Sequence, residues 1–135
     1  MTPAEAFAAI ALAAVACDGS VDPREATLLR IQLDQRHPYM EWGQLRMGHL
    51  FDQLLLQLQA DGWQALVSRA IPALSASQQE TALAMAAHLV HGDRSVSPEE
   101  SGLLLEMATL MRLPDGRAEQ ILDVISVLHR DNLGL

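Results

Sequence analysis

The pattern of apolar and polar positions along the chain predicts α-helices throughout. Apolar residues recur at intervals of three and four residues, which is the spacing of one face of an α-helix. No stretch alternates between apolar and polar residues for long enough to predict a β-strand. Breaks near Pro38, Pro72 and Pro114 divide the pattern into segments. We therefore expect an all-α bundle of about seven helices, formed by a single domain over residues 1–135.

The amino-acid composition agrees with this fold class and bears on the choice of ligand. Leucine and alanine dominate an apolar half of the sequence, which favours helix. The net charge is −8, and all nine basic residues are arginines. An acidic surface repels the phosphates of nucleic acids and anionic lipid headgroups, so we expect no nucleic-acid binding. The same charge favours cations or basic protein partners.

The first apolar segment resembles an export signal but lacks its other features. The run "AFAAIALAAVAC" ends at Cys17, as a lipoprotein signal would, yet Glu5 precedes it and no arginine or lysine does. Its twelve residues fall short of the roughly 20 that cross a bilayer. Cys17 is the only cysteine, so no internal disulfide is possible. We expect a cytoplasmic protein without direct membrane insertion.

The chain contains an internal repeat at an offset of 75 residues. Residues 9–29, "AIALAAVACDGSVDPREATLL", align without gaps with residues 84–104, "AMAAHLVHGDRSVSPEESGLL", and ten of the twenty-one positions are identical. Each copy predicts a helix, a tight turn and a second helix, in repeat units of about 4–35 and 78–112. We predict that these two helix–turn–helix hairpins pack about a pseudo-two-fold axis.

The first helix of each copy, over residues 4–17 and about 78–91, is rich in alanine and apolar on nearly every side. Such a helix belongs in the middle of a bundle. We expect "SQQE", residues 77–80, to cap the later of the two helices. Gly19 and Gly92 would supply the left-handed residue that ends each helix.

The second helix of each copy begins with a capping pattern, "DPRE" at residues 22–25 and "SPEE" at residues 97–100. Asp22 or the matching serine would be the N-cap, with proline at the first helical position. Glu25 and Glu100 stand at the third position, where a glutamate closes a capping box. Both helices carry an apolar face.

An EF-hand calcium loop does not fit either turn. With Glu25 at the twelfth loop position, the first and third positions are Ala14 and Ala16. The second copy has Leu89 and His91 at those positions. Half of the ligand set is therefore missing from both copies.

The acidic residues of the two turns are nevertheless candidates for a cation site. Asp18 and Asp93 keep their distance to the following Val-x-Pro-x-Glu although the glycine changes place between the copies. If both turns lie at one end of the bundle, Glu99 joins the cluster. Oxygen-rich clusters suit Ca²⁺ or Mg²⁺. The predicted metal ligands are Asp18, Asp22, Glu25, Asp93 and Glu100. Helix capping alone would also explain the N-cap and capping-box acids, and the turns could instead lie at opposite ends.

The stretch "AAVACDGSVDPREATLL", with its second copy, resembles the TerB-like family of tellurite-resistance-associated proteins. Similar domains stand at the N-terminus of membrane-anchored DnaJ-like co-chaperones. The matching positions are Asp18, Gly19, Val21 and Glu25 in the first copy and Asp93, Val96 and Glu100 in the second. The resemblance implies an all-α stress-response module that binds metal or protein partners through its acids, without an established enzyme activity. Arg94 departs from the family pattern, and its charge would oppose a metal in the second turn.

Other candidate residues carry weaker signals. His88 and His91 have a spacing that suits metal ligands, but no further ligand is evident from the sequence, and ordinary polar positions explain them. Cys17 is expected to be a small core residue and not a nucleophile.

Three hypotheses follow for the function. The first is a non-enzymatic module that binds a divalent cation, a protein partner or both through its acidic turns. The second is a structural helical adaptor for protein interactions, without metal, whose acids only cap helices. The third, a metal-dependent hydrolase, has no catalytic motif in its favour.

Overall fold

The computed structural model describes residues 1–93 and 96–130, with Asp93 described by its backbone alone. Within these residues the chain forms seven α-helices, three short 3₁₀ turns and no strand, which confirms the all-α prediction. No helix in this described part has the length and apolar character that crossing a membrane requires. The helices are α1 (Pro3–Val15), α2 (Pro23–Asp34), α3 (Gln44–Asp61), α4 (Trp63–Ala70), α5 (Ala76–Val90), α6 (Pro98–Leu110) and α7 (Arg117–Leu128).

Helix α1 lies at the centre of the molecule, as its apolar sequence predicts. Every residue from Ala8 to Val15 is buried, and most of them are alanines. Small side chains let neighbouring helices approach closely, and α1 packs most extensively against α5 and α4. Helix α5 also carries α7 on its outer side.

Helices α1 and α5 run side by side in the same direction. Ala4 and Phe7 of α1 line one cavity together with Gln78 and Thr81 of α5, so the two helices begin at the same end of the bundle. The segments that follow the two helices therefore leave the bundle at its opposite end. The pseudo-two-fold axis remains a prediction.

Two predicted helix boundaries are wrong. Helix α1 ends at Val15 and not at residue 17, because the chain turns at Ala16, whose carbonyl accepts from the Gly19 amide at 2.8 Å. Helix α5 begins at Ala76, capped by Ser75 instead of the predicted "SQQE". The serine immediately follows an extended residue, which places its hydroxyl within reach of the first turn.

Two large apolar residues of α2 and α7 are exposed. Ile31 is 48% exposed, because it lies on the opposite side of α2 from Leu29 and Leu33, which are buried. Leu128 is 66% exposed, because His129 takes up the contact with α5 at the end of α7. No side chain in α7 is fully buried, so this helix is attached through a partly exposed face.

Candidate functional site

The structure brings the first repeated turn and the starts of α2 and α6 to one surface groove. Its volume is about 540 Å³, and its floor includes Ala14 and Val15 at the end of α1. The polar residues that line it come from both copies of the repeat. We call this surface the acidic groove; its polar lining is Asp18, Ser20, Asp22, Glu25, Ser97, Glu99 and Glu100, with Cys17 beside them.

The first turn is held in shape by its own polar groups. A carboxylate oxygen of Asp18 accepts hydrogen bonds from the backbone N–H and the hydroxyl of Ser20, both at 3.1 Å. Gly19 has a φ of +89°, a conformation that side chains disfavour. The side-chain amide of Gln59 on α3 donates to the Gly19 carbonyl at 3.0 Å. Asp18 is therefore a structural part of the turn, whatever else it binds.

Helices α2 and α6 begin at the groove with different caps. In the second copy the predicted capping box is complete: the Glu100 amide donates to Ser97 Oγ at 3.1 Å, and the Ser97 amide donates to Glu100 Oε1 at 3.1 Å. In the first copy Asp22 is the N-cap as predicted, but its carboxylate accepts from the amide of Arg24, at 2.8 Å. The second helical position, and not the third, supplies that donor.

The predicted left-handed role of Gly92 is wrong. Its backbone lies in a 3₁₀ turn, His91–Asp93, and does not have a positive φ. Gly19 does have one, but it lies three residues beyond the Ala16 C-cap and shapes the turn instead of ending the helix. The two glycines therefore serve different purposes, which explains why they stand at different places in the repeat.

The lining of the acidic groove concentrates negative charge. Five carboxylates face it, and the described lining residues include no arginine or histidine. The side chains of Asp93 and Arg94, one a predicted ligand and the other a predicted opposing charge, lie outside the described residues. A concave surface with one sign of charge attracts ligands of the opposite sign.

The Cys17 thiol lies close enough to carboxylates from both copies of the repeat for their charges to affect its pKa. The residue is half-buried beyond the end of α1, not inside the helix as predicted. Burial raises the pKa of its thiol, and the negative charges of Asp18, Glu100 and Glu25 raise that pKa further. The thiol is therefore protonated at neutral pH, which is the less nucleophilic of its two forms.

The groove has oxygen atoms that a metal ion could use, but they are not gathered into a coordination sphere. Across residues 1–93 and 96–130, no three His, Cys, Asp or Glu side chains lie in an arrangement that could hold a metal ion. Asp18, Asp22 and Glu100 each use one carboxylate oxygen in a turn or cap, and each has a second. The predicted Ca²⁺ or Mg²⁺ site remains a proposal.

Sequence reasoning missed one cluster, in which His129 meets His88 and His91. The rings of His88 and His129 lie with their centroids 4.9 Å apart, and those of His91 and His129 lie 5.3 Å apart. The spacing of Ile121, Ile125 and His129 was the available signal, because residues four apart share a helix face and the two isoleucines pack toward the core.

Comparison with known protein families, curated proteins and solved structures finds no match to this chain. The resemblance to TerB-like proteins therefore rests on the residues of the repeated motif. Of those residues, Asp18, Val21 and Glu25 lie in or beside the acidic groove, together with Glu100 of the second copy.

Proposed function

We propose that this protein is a non-enzymatic binding module whose acidic groove holds a positively charged segment of a partner protein. The convergence on one groove of carboxylates from both copies of the repeat, which are 75 residues apart in sequence, supports this proposal most directly. Capping needs only one acid at each helix start and would work equally well with the turns far apart. Bringing like charges together opposes folding, and a positively charged ligand would offset this repulsion.

The lining of the groove suits arginine or lysine side chains. The apolar side chains of Val15 and Val21 stand beside the carboxylates of Asp18, Asp22 and Glu99. Arginine and lysine have an apolar stem and a charged end, so they match a surface with both kinds of residue. Hydrogen bonds from a guanidinium to carboxylates are stronger than those between neutral groups.

The TerB-like resemblance supports a wider role for this module in a cytoplasmic stress response, with tellurite resistance as its particular context. The lone Cys17 is consistent with a reducing compartment. In a host that lacks its own resistance, we expect tellurite tolerance to rise with the wild-type protein and not with a variant whose groove is neutralised. Equal tolerance with both proteins would remove the groove from that role.

A basic peptide tests the primary proposal. Asp18→Asn, Asp22→Asn and Glu99→Gln together remove three negative charges from the groove, and the first two changes keep a side-chain oxygen for the turn and the cap. We expect a fluorescently labelled arginine-rich peptide to bind the wild-type protein and to bind this variant at least about tenfold more weakly, a difference of about 1.4 kcal/mol.

The matched control removes the same charge elsewhere. Asp52→Asn, Glu119→Gln and Asp123→Asn change three exposed acids outside the groove lining. We expect near wild-type affinity from this control. Equal weakening by both triple variants would show attraction by net charge alone and would contradict a specific groove. Salt alone cannot decide the question, because it screens both kinds of binding.

A divalent cation is the second candidate ligand, favoured by the second oxygens of Asp18, Asp22 and Glu100. Ca²⁺ accepts flexible, oxygen-rich coordination, so modest side-chain movement could complete a site. A cation that binds only the folded state raises its stability by about 2.7 kcal/mol at a hundred times the dissociation constant. Thermal melts of chelator-stripped protein should then shift upward with Ca²⁺ or Mg²⁺, and the shift should disappear in the Asp18→Asn/Asp22→Asn/Glu99→Gln variant. If neither peptide nor cation binds, the acids are caps and the module is a structural adaptor.

A further inference from the structure

The C-terminal end of α7 meets α5 through two histidines. His88 lies in the last turn of α5, and His129 is the C-cap residue of α7. Nδ1 of His88 and Nε2 of His129 are 2.9 Å apart, which is a hydrogen-bond distance. The ring of His91 also stacks on that of His129, with an angle of 17° between the planes.

This hydrogen bond depends on the protonation of the pair. One imidazole must donate an N–H and the other must accept with a lone pair, so at least one of the two rings has to be neutral. An imidazolium has no acceptor nitrogen. If both rings are protonated, the hydrogen bond is lost and two positive charges face each other.

The charged surroundings of His129 reinforce this dependence. Burial lowers the pKa of His129, and the neighbouring His88 and His91 lower that pKa further. A separate cavity lies beside His91. The residues that line it from α6 and its N-cap are uncharged, and they are Ser97, Pro98, Ser101, Leu104 and Leu105. In the described part of the structure, the charged groups that act on His129 are therefore basic ones.

Apart from the histidine pair, the contact between α7 and the core fully buries no side chain of the helix. The histidine pair is therefore important for holding α7 in place. The residues of α7 that pack on the core, Ala118, Ile121, Leu122 and Ile125, are only partly buried. An ion pair between Arg117 and Glu80, at 2.8 Å and partly exposed, holds the opposite end of the helix. Partly exposed ion pairs contribute little to stability. Among the described residues, the histidine pair is a polar contact at the C-terminal end.

We propose that His88 and His129 form a proton-sensitive clasp, which holds the end of α7 on α5 at neutral pH and releases it on acidification. The sign follows from linkage. When α7 separates, His129 returns toward its ordinary pKa of 6.5, so the separated state binds more protons than the docked state below that pH. The contribution of the clasp is therefore complete above pH 6.5 and is lost as the pH falls through the lowered pKa of docked His129.

Hydrogen exchange of the full-length protein tests the clasp. Protection of the amides in α7, corrected for intrinsic exchange rates, is compared between about pH 7.5 and about pH 5.5. A histidine that stays neutral while docked loses about tenfold in protection one pH unit below its ordinary pKa. This is an upper limit, because the pKa of docked His129 is lowered and the docked ring still titrates. We expect a loss within this limit in α7 and a much smaller one in α1, which serves as the internal reference.

Two variants and a control make the test specific. His129→Gln and His88→Gln remove one titrating ring each, so both should reduce the pH dependence in α7. His49→Gln, which removes an exposed histidine of α3, should keep it. Constant α7 protection in the wild-type protein, or unchanged pH dependence in both clasp variants, would overturn the proposal. If the clasp variants do not fold, the imidazole signals of the wild-type protein decide by NMR. A titration of His129 below 6.5 that shifts the signals of α7 supports the clasp, and independent titrations of both rings at 6.5 overturn it.

Discussion

Gly92 in the second turn lies directly against Leu28 of α2. A Cβ atom on Gly92 would come within 2.4 Å of Leu28 Cδ2, which is closer than carbon atoms approach in folded proteins. The contact joins the turn of one repeat to the second helix of the other. Glycine is therefore favoured at position 92 by the close approach of a neighbouring side chain and not by its own backbone angles.

Gly92→Ala should destabilise the fold through this contact. Overpacking typically costs about 1–3 kcal/mol, and we expect about 1 kcal/mol because the end of the Leu28 side chain can rotate away. Urea denaturation of the single variants and of Gly92→Ala combined with Leu28→Ala measures the coupling. The alanine at position 28 makes room, so Gly92→Ala should cost close to nothing in that background. An equal cost in both backgrounds would place the effect in the backbone instead.

Replacing Gly19 should also destabilise the fold, but for a different reason. An added Cβ would have its nearest neighbour, Gln59 Cγ, at 3.9 Å, so the space is open and the positive φ sets the cost. We expect Gly19→Ala to lose about 1 kcal/mol and Gly19→Asn to lose less, since asparagine tolerates positive φ better. Gln59→Ala should not relieve the loss. Equal stability of the alanine and asparagine variants in urea denaturation would contradict this explanation.

These two glycines mark the limit of what the sequence could predict. Periodicity and capping patterns predicted seven helices, and "SPEE" gave the correct capping box at Glu100. Those features are local, so a sequence contains them directly. The contact between Gly92 and Leu28 depends on how α2 packs against a turn more than sixty residues away, and a single sequence does not reveal that packing.

The candidate site likewise has some features that the sequence predicts and others that only the fold reveals. The acidic residues and their matching turns were visible in the repeat, but their meeting in one groove depends on the parallel packing of α1 and α5. The contact between His88 and His129 needed the docking of α7, which no local pattern specifies. Ligand chemistry could be suggested from residue types, whereas spatial grouping required the fold.

Gln79 of α5 forms hydrogen bonds both with the segment before α5 and with the segment after α6. The stability of the fold should therefore be sensitive to its substitution. It is 6% exposed, and its side-chain amide donates to the carbonyls of Leu74, at 3.1 Å, and Ile71, at 3.4 Å. Its carbonyl accepts from the backbone amide of Arg112 at 3.1 Å. Gln79→Met keeps the length and removes the polar atoms. A buried backbone group without a partner costs about 1–3 kcal/mol, so we expect a loss of about 2–3 kcal/mol.

The control for Gln79 is an exposed glutamine. Gln53→Met on α3 should change the free energy of unfolding by less than about 0.5 kcal/mol, as surface substitutions usually do. Urea denaturation measures both variants. Similar small changes in the two would mean that water replaces the hydrogen bonds of Gln79.

The reactivity of Cys17 reports the electrostatic field of the acidic groove. The raised pKa of the thiol leaves little thiolate at neutral pH, so alkylation of the folded protein by iodoacetamide should be slow. Asp18→Asn removes a nearby negative charge, lowers the pKa of the thiol and should accelerate alkylation severalfold. Asp52→Asn, outside the groove, should leave the rate unchanged. No acceleration in Asp18→Asn would show that burial alone controls the thiol.

The same thiol should make stability depend on alkaline pH. Its pKa in the folded protein is above the ordinary value of 9.0, so the unfolded chain releases the proton first as the pH rises. The contribution of the protonated thiol is therefore complete below pH 9.0 and is lost as the pH rises through the folded pKa. The free energy of unfolding should fall over this range in the wild-type protein and fall less in Cys17→Ser. Parallel curves for the two proteins, measured by urea denaturation between about pH 7 and about pH 10, would contradict the raised pKa.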